Sequence, residues 1–394
     1  MPATKKRTIG VFVLMSFCAS LPLRASELNI HGFFNAVAGR MSNERIRYGD
    51  YEPTLSVDNE SNIGIQMHMQ AREDISVVGQ LLGKTNTSDA FNLEWAYMDM
   101  QLTPSQLFRV GKTRAPFYLF SESLNVSYSY PWIRPPIETY ELSSSIKVDG
   151  LHYFYRQGLS PHWDFSSQLY YGGYRGDVES LSDSAGTRLK KFSGIVLNLE
   201  NDWARIRLGY HQASVTAKLD TLEQGGDLYN VLDQYGQYTL IDELRLYDKK
   251  GRFYGLALDI NKYQWQWLSE YTVLRLERGL LPTHRSWYSM VAYQWRPQLL
   301  FHFTYSRVQS DQQYYFTSTD ANAQAYVDAA LLRADSHQHS LLFGARYEVK
   351  DGLALKLEWQ RFFVEHNQGN LLKTGDTFLK GHSDLFNVAL NLAF

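Results

Sequence analysis

The chain closes with Phe386-Asn387-Val388-Ala389-Leu390-Asn391-Leu392-Ala393-Phe394. Every second residue is apolar, the residues between are Asn or Ala, and the last is aromatic. An extended strand points successive side chains to opposite faces, so this segment has one greasy face and one small, polar face. The same alternation recurs upstream. Tyr263, Trp265, Trp267 and Tyr271 share one face of their segment, and Gln264, Gln266 and Glu270 share the other. Leu299, Phe301, Phe303 and Tyr305 alternate with His302, Thr304 and Ser306. Leu353, Leu355, Leu357 and Trp359 alternate with Lys356, Glu358 and Gln360. An amphipathic helix would show a period near 3.6, and these windows have a period of two.

Alternation of this kind defines about sixteen strands, the first near 28–40 and the last near 383–394. Among them are 162–175, 188–200 and 202–213. Seven short turns alternate with eight longer connections near 41–60, 85–90, 114–145, 176–187, 214–250, 276–284, 310–336 and 366–382. One face of each strand is aromatic or aliphatic, and the other carries Arg, Glu, Gln or His. A β-sandwich would not leave so much apolar surface outside. Lipid outside and water inside explains both faces, so the fold class is all-β, a transmembrane antiparallel β-barrel of about 16 strands. Short turns would face the periplasm and long loops the exterior.

The N-terminus reads as a secretory signal. Lys5, Lys6 and Arg7 precede the apolar run Ile9 to Leu21, and Pro22-Leu23-Arg24-Ala25 offers a cleavage site after Ala25. Residues 1–25 are then removed, and 26–394 form a single domain. Cys18 is the only cysteine, so the mature chain has no disulfide. The full chain holds 39 Lys plus Arg and 41 Asp plus Glu, and cleavage removes four cations, leaving 35 against 41, or −6. An acidic balance gives no support for nucleic-acid binding. The 27 Tyr, 21 Phe and 9 Trp are more aromatics than turns or a small core require. With a mean hydropathy of −0.35 and no membrane-length apolar run after the signal, the apolar residues are spread at alternate positions.

The export signal, the loop rhythm, the long third connection and the closing aromatic together resemble the sixteen-strand porins of Gram-negative outer membranes. That resemblance implies a passive water-filled channel for small hydrophilic solutes or ions in the outer membrane, with no cofactor. It implies contact with outer-membrane lipid and lipopolysaccharide, and a homotrimer, for which Ala36, Ala38 and Val388 mark the flank of small outward residues. It also implies that Phe386, Val388, Leu390, Leu392 and Phe394 are the signal read by the barrel-assembly machinery. In such porins the third outer loop folds into the lumen, which makes about 113–145 the candidate constriction.

The composition of that segment is unusual on its own terms. It carries Phe117, Tyr118, Phe120, Tyr128, Tyr130, Trp132 and Tyr140, which are stable only against a wall, and Pro116, Pro131, Pro135 and Pro136 limit the entropy lost on ordering. Its charges are Arg114, Glu122, Arg134, Glu138 and Glu141. The wall charges of lumen parity are Arg109, Arg156, Arg205, Arg207, Arg346 and Lys356, with Glu94, Asp164, Glu200, Asp259, Glu270, Glu348 and Glu358. Fixed charge in a narrow wet pore sets ion preference, whereas cross-strand ion pairs brace the barrel. Both uses stand open here, as does a loop that plugs.

Other functions leave fewer marks. His337 and His339 share a strand face with Asp335 nearby, a spacing compatible with a metal, though a solvated strand end is the better account of it. No nucleophile elbow, phosphate loop or His-Glu-x-x-His occurs, so the chain reads as a non-enzyme. The alternatives to a channel are a non-conducting structural, adhesive or receptor barrel, and an outer-membrane lipase or protease.

Overall fold

The computed structural model describes residues 27–85, 91–140, 146–179, 184–219, 228–365, 372–374 and 380–394. The signal segment 1–25 and Glu141 lie outside them. Sixteen antiparallel strands close into one barrel. The first eight are β1 Glu27–Met41, β2 Asn62–Arg72, β3 Ile75–Lys84, β4 Asn92–Thr103, β5 Gln106–Arg114, β6 Lys147–Gly158, β7 Asp164–Glu179 and β8 Ser184–Glu200. The rest are β9 Ala204–Leu219, β10 Lys249–Lys262, β11 Trp265–Leu276, β12 Thr283–Arg296, β13 Leu299–Asp311, β14 His337–Lys350, β15 Leu353–Val364 and β16 Gly381–Ala393. Each pairs with its neighbours in sequence, and β1 pairs with β16 from Phe33↔Ala393 to Met41↔Leu385. Closure leaves no free edge, so every strand has a ladder on both sides, as lipid demands.

Side-chain parity sorts the two faces. On β11, Trp265, Trp267 and Tyr271 point out, while Leu268, Glu270 and Thr272 are buried inside. Outward apolar side chains such as Leu357 (52% exposed) and Phe343 (47%) form a continuous band. No water-facing surface keeps a band of that extent, and a bilayer covers it. Trp203, Tyr263, Trp265 and Trp295 ring the short-turn end, and Tyr171, Tyr254, Tyr271 and Trp287 ring the other, as aromatic belts do at lipid interfaces. Inside, glycine makes room for rings. A Cβ on Gly64 would sit 2.1 Å from Phe33, and one on Gly344 would sit 2.1 Å from His302.

Strands β7, β8 and β9 run further outward than alternation alone indicates, ending or starting at 179, 184 and 219. Their outer ends carry Arg175, Asp177, Arg188, Lys190, Thr216 and Lys218 on the outward face. The apolar signal ends there because that face has left the hydrocarbon, while the hydrogen-bond ladder continues.

The long connections hold further structure. The third contains a turn of 3-10 helix at Ser127–Ser129 and the short helix α1, Ile137–Tyr140. The fifth contains α2, Leu228–Gln234, and α3, Tyr238–Leu244, and the seventh contains α4, Ala321–Ala334. Asp320 caps α4 by accepting from Asn322 N at 2.8 Å and Ala323 N at 3.1 Å. Leu228, Leu232, Leu240, Ile241, Leu244, Leu280, Phe316, Ala323, Val327 and Ala330 pack together, giving three outer connections a single apolar core. A two-residue ribbon, Ile46–Arg47 with Lys373–Thr374, ties the first connection to the eighth.

Candidate functional site in the barrel lumen

Residues 115–140 are bonded to inward side chains on strands around the barrel, which places this stretch across the lumen. At its start, Arg114 pairs with Glu94, which also takes Lys147 at 3.1 Å, and Arg114 donates to Ser121 O at 3.3 Å. Arg207 Nη2 donates to Pro116 O at 2.7 Å. Glu270 accepts from Leu119 N at 2.8 Å and from the hydroxyls of Tyr288 (2.8 Å) and Tyr140. At the far wall, buried Lys356 donates to the carbonyls of Ser127, Tyr130 (2.8 Å) and Trp132, and Glu358 accepts from Ile133 N at 2.6 Å. Arg346 donates to Tyr128 O at 2.8 Å, and Glu348 accepts from the Tyr128 hydroxyl. Trp132 Nε1 donates to Thr304 Oγ1 at 2.8 Å, and Glu138 accepts from Ser306 Oγ (2.7 Å) and Gln338 Nε2 (2.8 Å). Arg134 pairs with Glu60 of the first connection and lies over the Tyr48 ring at 4.4 Å.

Apolar packing fixes the same segment. Phe117 sits 4.7 Å from Phe253 and 5.9 Å from Phe192, Tyr118 stacks on Tyr140 at 4.5 Å, and Trp132 meets Tyr288 edge-on at 5.4 Å. Trp132 is fully buried. Burial disfavours charge on Arg134, yet the Glu60 carboxylate outweighs it and holds the pKa above the ordinary arginine range. Burial, and then the charge of Glu270, pushes the Tyr140 phenol well up.

Most of the charges singled out by sequence are therefore engaged in bracing. Glu122 differs. It is exposed, has no ion pair among the described residues, and lies within electrostatic reach of Arg109 and Arg207. Arg109 itself forms a bidentate pair with Asp99 at 2.6 and 2.9 Å. At the short-turn mouth, Arg156 bonds Asp164 at 2.9 Å and Arg205 bonds Glu200 at 3.0 Å, with Arg156 65% and Arg205 47% exposed. Arg205 and Arg207 thus share a face but not an environment, one at the mouth and one under the loop.

Asn35, Glu60, Thr304, Ser306 and Gln338 also hold the loop, and sequence reasoning did not assign them that role. For the four on strands inward parity was the only signal, and Glu60 in the first connection had none, because nothing in a sequence names the loop group that a wall or connection side chain will meet. His337 and His339 point outward at the rim; His337 pairs with Asp335 at 3.3 Å and His339 with Glu365 at 2.6 Å. Among the described residues no group of three potential ligands gathers for a metal.

No protein-family model and no curated sequence matches the chain. Solved structures do. The anion-selective porin from Comamonas acidovorans aligns at 11% identity over 93% of this chain and 99% of its own, with a TM-score of 0.59. The outer membrane channel DcaP of Acinetobacter baumannii aligns at 12% identity over 93% and 97%, with a TM-score of 0.58. A trimer form of OmpT, an outer membrane protein of Vibrio cholerae, aligns at 10% identity over 93% and 99%, with a TM-score of 0.54. The fold is that of a porin-like, closed sixteen-strand barrel.

Proposed function

We propose that the protein is an outer-membrane porin: a passive, water-filled channel for small hydrophilic solutes or ions, narrowed by its third outer loop. The observation that supports this most directly is the bracing of residues 115–140 by wall side chains, with Glu122 left as an exposed loop charge opposite basic wall residues. A loop held at many points is a fixed constriction, and one fixed charge there acts on every passing ion. Three subunits would pack on the flank of small outward residues at Ala36, Ala38 and Val388. The signal segment would be cleaved after Ala25, and the mature barrel would sit among outer-membrane lipids.

Planar-bilayer recording of the refolded protein tests this reading. Stepwise ohmic openings are expected, and a folded barrel that never conducts would sink it and make the Tyr118–Tyr140–Trp132 cluster a plug. In the double variant Arg156→Gln, Arg205→Gln, Asp164 and Glu200 lose their partners at the mouth. The reversal potential under a salt gradient should then move toward cations at 0.1 M salt, where screening reaches about 10 Å, and the difference should vanish near 1 M. An unchanged reversal potential at low salt would remove these residues from the ion path.

The closing strand is proposed to carry the assembly signal. Phe394 exchanges backbone hydrogen bonds with Gly32 at 2.8 and 2.9 Å, and its ring lies over that glycine. Phe394→Ala should refold in detergent yet leave most of the protein unassembled in cells, as read by heat-modifiable gel mobility; normal assembly in cells would refute the assignment.

A further inference from the structure

The outer helices α2, α3 and α4 display a face of tyrosine rings. Tyr235, Tyr238 and Tyr326 are 41%, 64% and 45% exposed. They are neighbours in space. The Tyr235 hydroxyl meets Asn322 Nδ2 at 3.4 Å, and Tyr326 follows Asn322 by one turn on the same face of α4. Tyr238 opens α3 just after the left-handed turn at Gly236. Gln237 Nε2 donates to Thr319 Oγ1 at 2.8 Å and clamps that turn to the approach of α4. Leu232, Leu240 and Val327 are packed in one core beneath, so the rings stand on a preformed support and little ordering is lost on binding.

The charge around these rings has one sign. Residues 228–244 and 308–332 hold six acids, Asp233, Asp242, Glu243, Asp311, Asp320 and Asp328, and no Lys or Arg. Glu243 pairs with Arg278 at 2.8 Å and Asp311 pairs with Arg285, while the other four have no ion pair among the described residues. Asp242 stands one turn from Tyr238 on α3, and Asp233 ends two residues before Tyr235. The same helices already show what such a surface holds. Arg245 lies over the Tyr229 ring at 5.1 Å, and Arg278 lies over Phe316 at 5.4 Å while Glu243 takes its edge. A guanidinium can stack flat on a ring and still donate in its own plane to a carboxylate.

We propose that this face docks an arginine-rich polypeptide segment. Its guanidiniums stack on Tyr235, Tyr238 and Tyr326, and their N–H edges meet Asp233 and Asp242, which repeats the arrangement of Arg278 between Phe316 and Glu243. The unpaired carboxylates steer a cationic partner in and turn anionic ones away. A neutral glycan would use the rings alone and gain nothing from the acids. Access from the cell exterior rests on the orientation proposed above, with long connections outside. The contact itself needs neither that orientation nor an open channel.

Fluorescence anisotropy of a labelled oligo-arginine peptide, titrated with the refolded full-length barrel in detergent, tests it. Oligo-lysine and serine–glycine peptides of equal length are the comparisons. Oligo-arginine should bind several-fold more tightly than oligo-lysine, because a flat guanidinium serves ring and carboxylate together. The serine–glycine peptide should not bind. These wild-type comparisons require no variant to fold. Tyr238→Ala with Tyr326→Ala should weaken oligo-arginine about fivefold. Asp242→Asn should weaken it about threefold, and Asp328→Asn, on the far flank of α4 from Tyr326, should change it little. Equal binding of arginine and lysine peptides overturns the proposal, as does unaltered affinity in a tyrosine variant of normal compact gel mobility. Equal losses at Asp242 and Asp328 would reduce the effect to bulk charge and also overturn it. Displacement of the peptide by a neutral oligosaccharide would assign the rings to a glycan instead. The substituted side chains lie outside the lumen wall, so a failure of the channel reading shows in conductance, and a failure of this docking face shows only in peptide binding.

Discussion

Lys356→Met should raise single-channel conductance and make it noisier, because it frees the third outer loop from the wall. Lys356 is fully buried and donates to three loop carbonyls, those of Ser127, Tyr130 and Trp132. Methionine fills a similar volume and donates nothing, so three buried acceptors lose a charged donor at once. The loss is on the order of 4 kcal/mol for three charge-assisted bonds. The loop gives way before the wall, since β15 keeps its full ladder to β14 and β16. Arg346 still reaches Tyr128 O, so release is local to about Ser127–Ile133 and the start of the loop stays anchored at Glu270. Glu358→Gln is the milder comparison, as an amide oxygen still accepts from Ile133 N. A folded Lys356→Met barrel with wild-type conductance and noise would show that this part of the loop does not bound the water path.

Asn35→Leu should lower the temperature at which the barrel loses its compact gel mobility, by more than any outward-facing substitution on β1. The closure seam carries an amide ladder. Asn391 Nδ2 donates to Asn35 Oδ1 at 2.9 Å, and Asn35 Nδ2 donates to Asn62 Oδ1 at 2.7 Å and to Asn125 O of the third loop at 2.8 Å. Asn35 is 1% exposed, so leucine strands fully buried Asn391 and two half-buried partners, Asn62 and Asn125, and costs on the order of 3 kcal/mol. Asn35→Asp separates the contributions, keeping the acceptor for Asn391 while losing both donations. If Asn35→Leu unfolds at the wild-type temperature, the seam is held by backbone pairing alone.

The strands were legible because a lipid-spanning wall repeats one simple signal. Lys356 and Glu358 read as inward from two-residue spacing against Leu355 and Leu357, and the structure puts them there. The signal stopped where its cause stopped. Beyond the lipid the outward face of β8 becomes Arg188 and Lys190, so the strand continued unseen for four residues. The outer helices were missed although Ala323, Val327 and Ala330 carry helical spacing, because a short apolar face is read only once its partner is known. For the third loop, composition indicated packing against a wall. The partners were not legible, since a bond from Lys356 to Trp132 O joins residues 224 apart through a carbonyl every residue possesses. Bracing and pore-lining charges look alike in sequence, and only geometry separated Glu138, bound by Ser306 and Gln338, from exposed Glu122.

The shared core of α2, α3 and α4 has a consequence for how the cell exterior meets this protein. Leu232 and Val327 are both fully buried in one cluster with Leu280, so the fifth, sixth and seventh outer connections hold their shape together. An antibody raised on the intact barrel would recognise a folded, discontinuous epitope, with Tyr238 and Tyr315 displayed on its surface at 64% and 89% exposure. A peptide copied from any one connection lacks the partners that shape it and would be a poor immunogen. Escape from such an antibody is correspondingly easy to reach by an indirect route, since one substitution at a hidden leucine alters the displayed face of three segments.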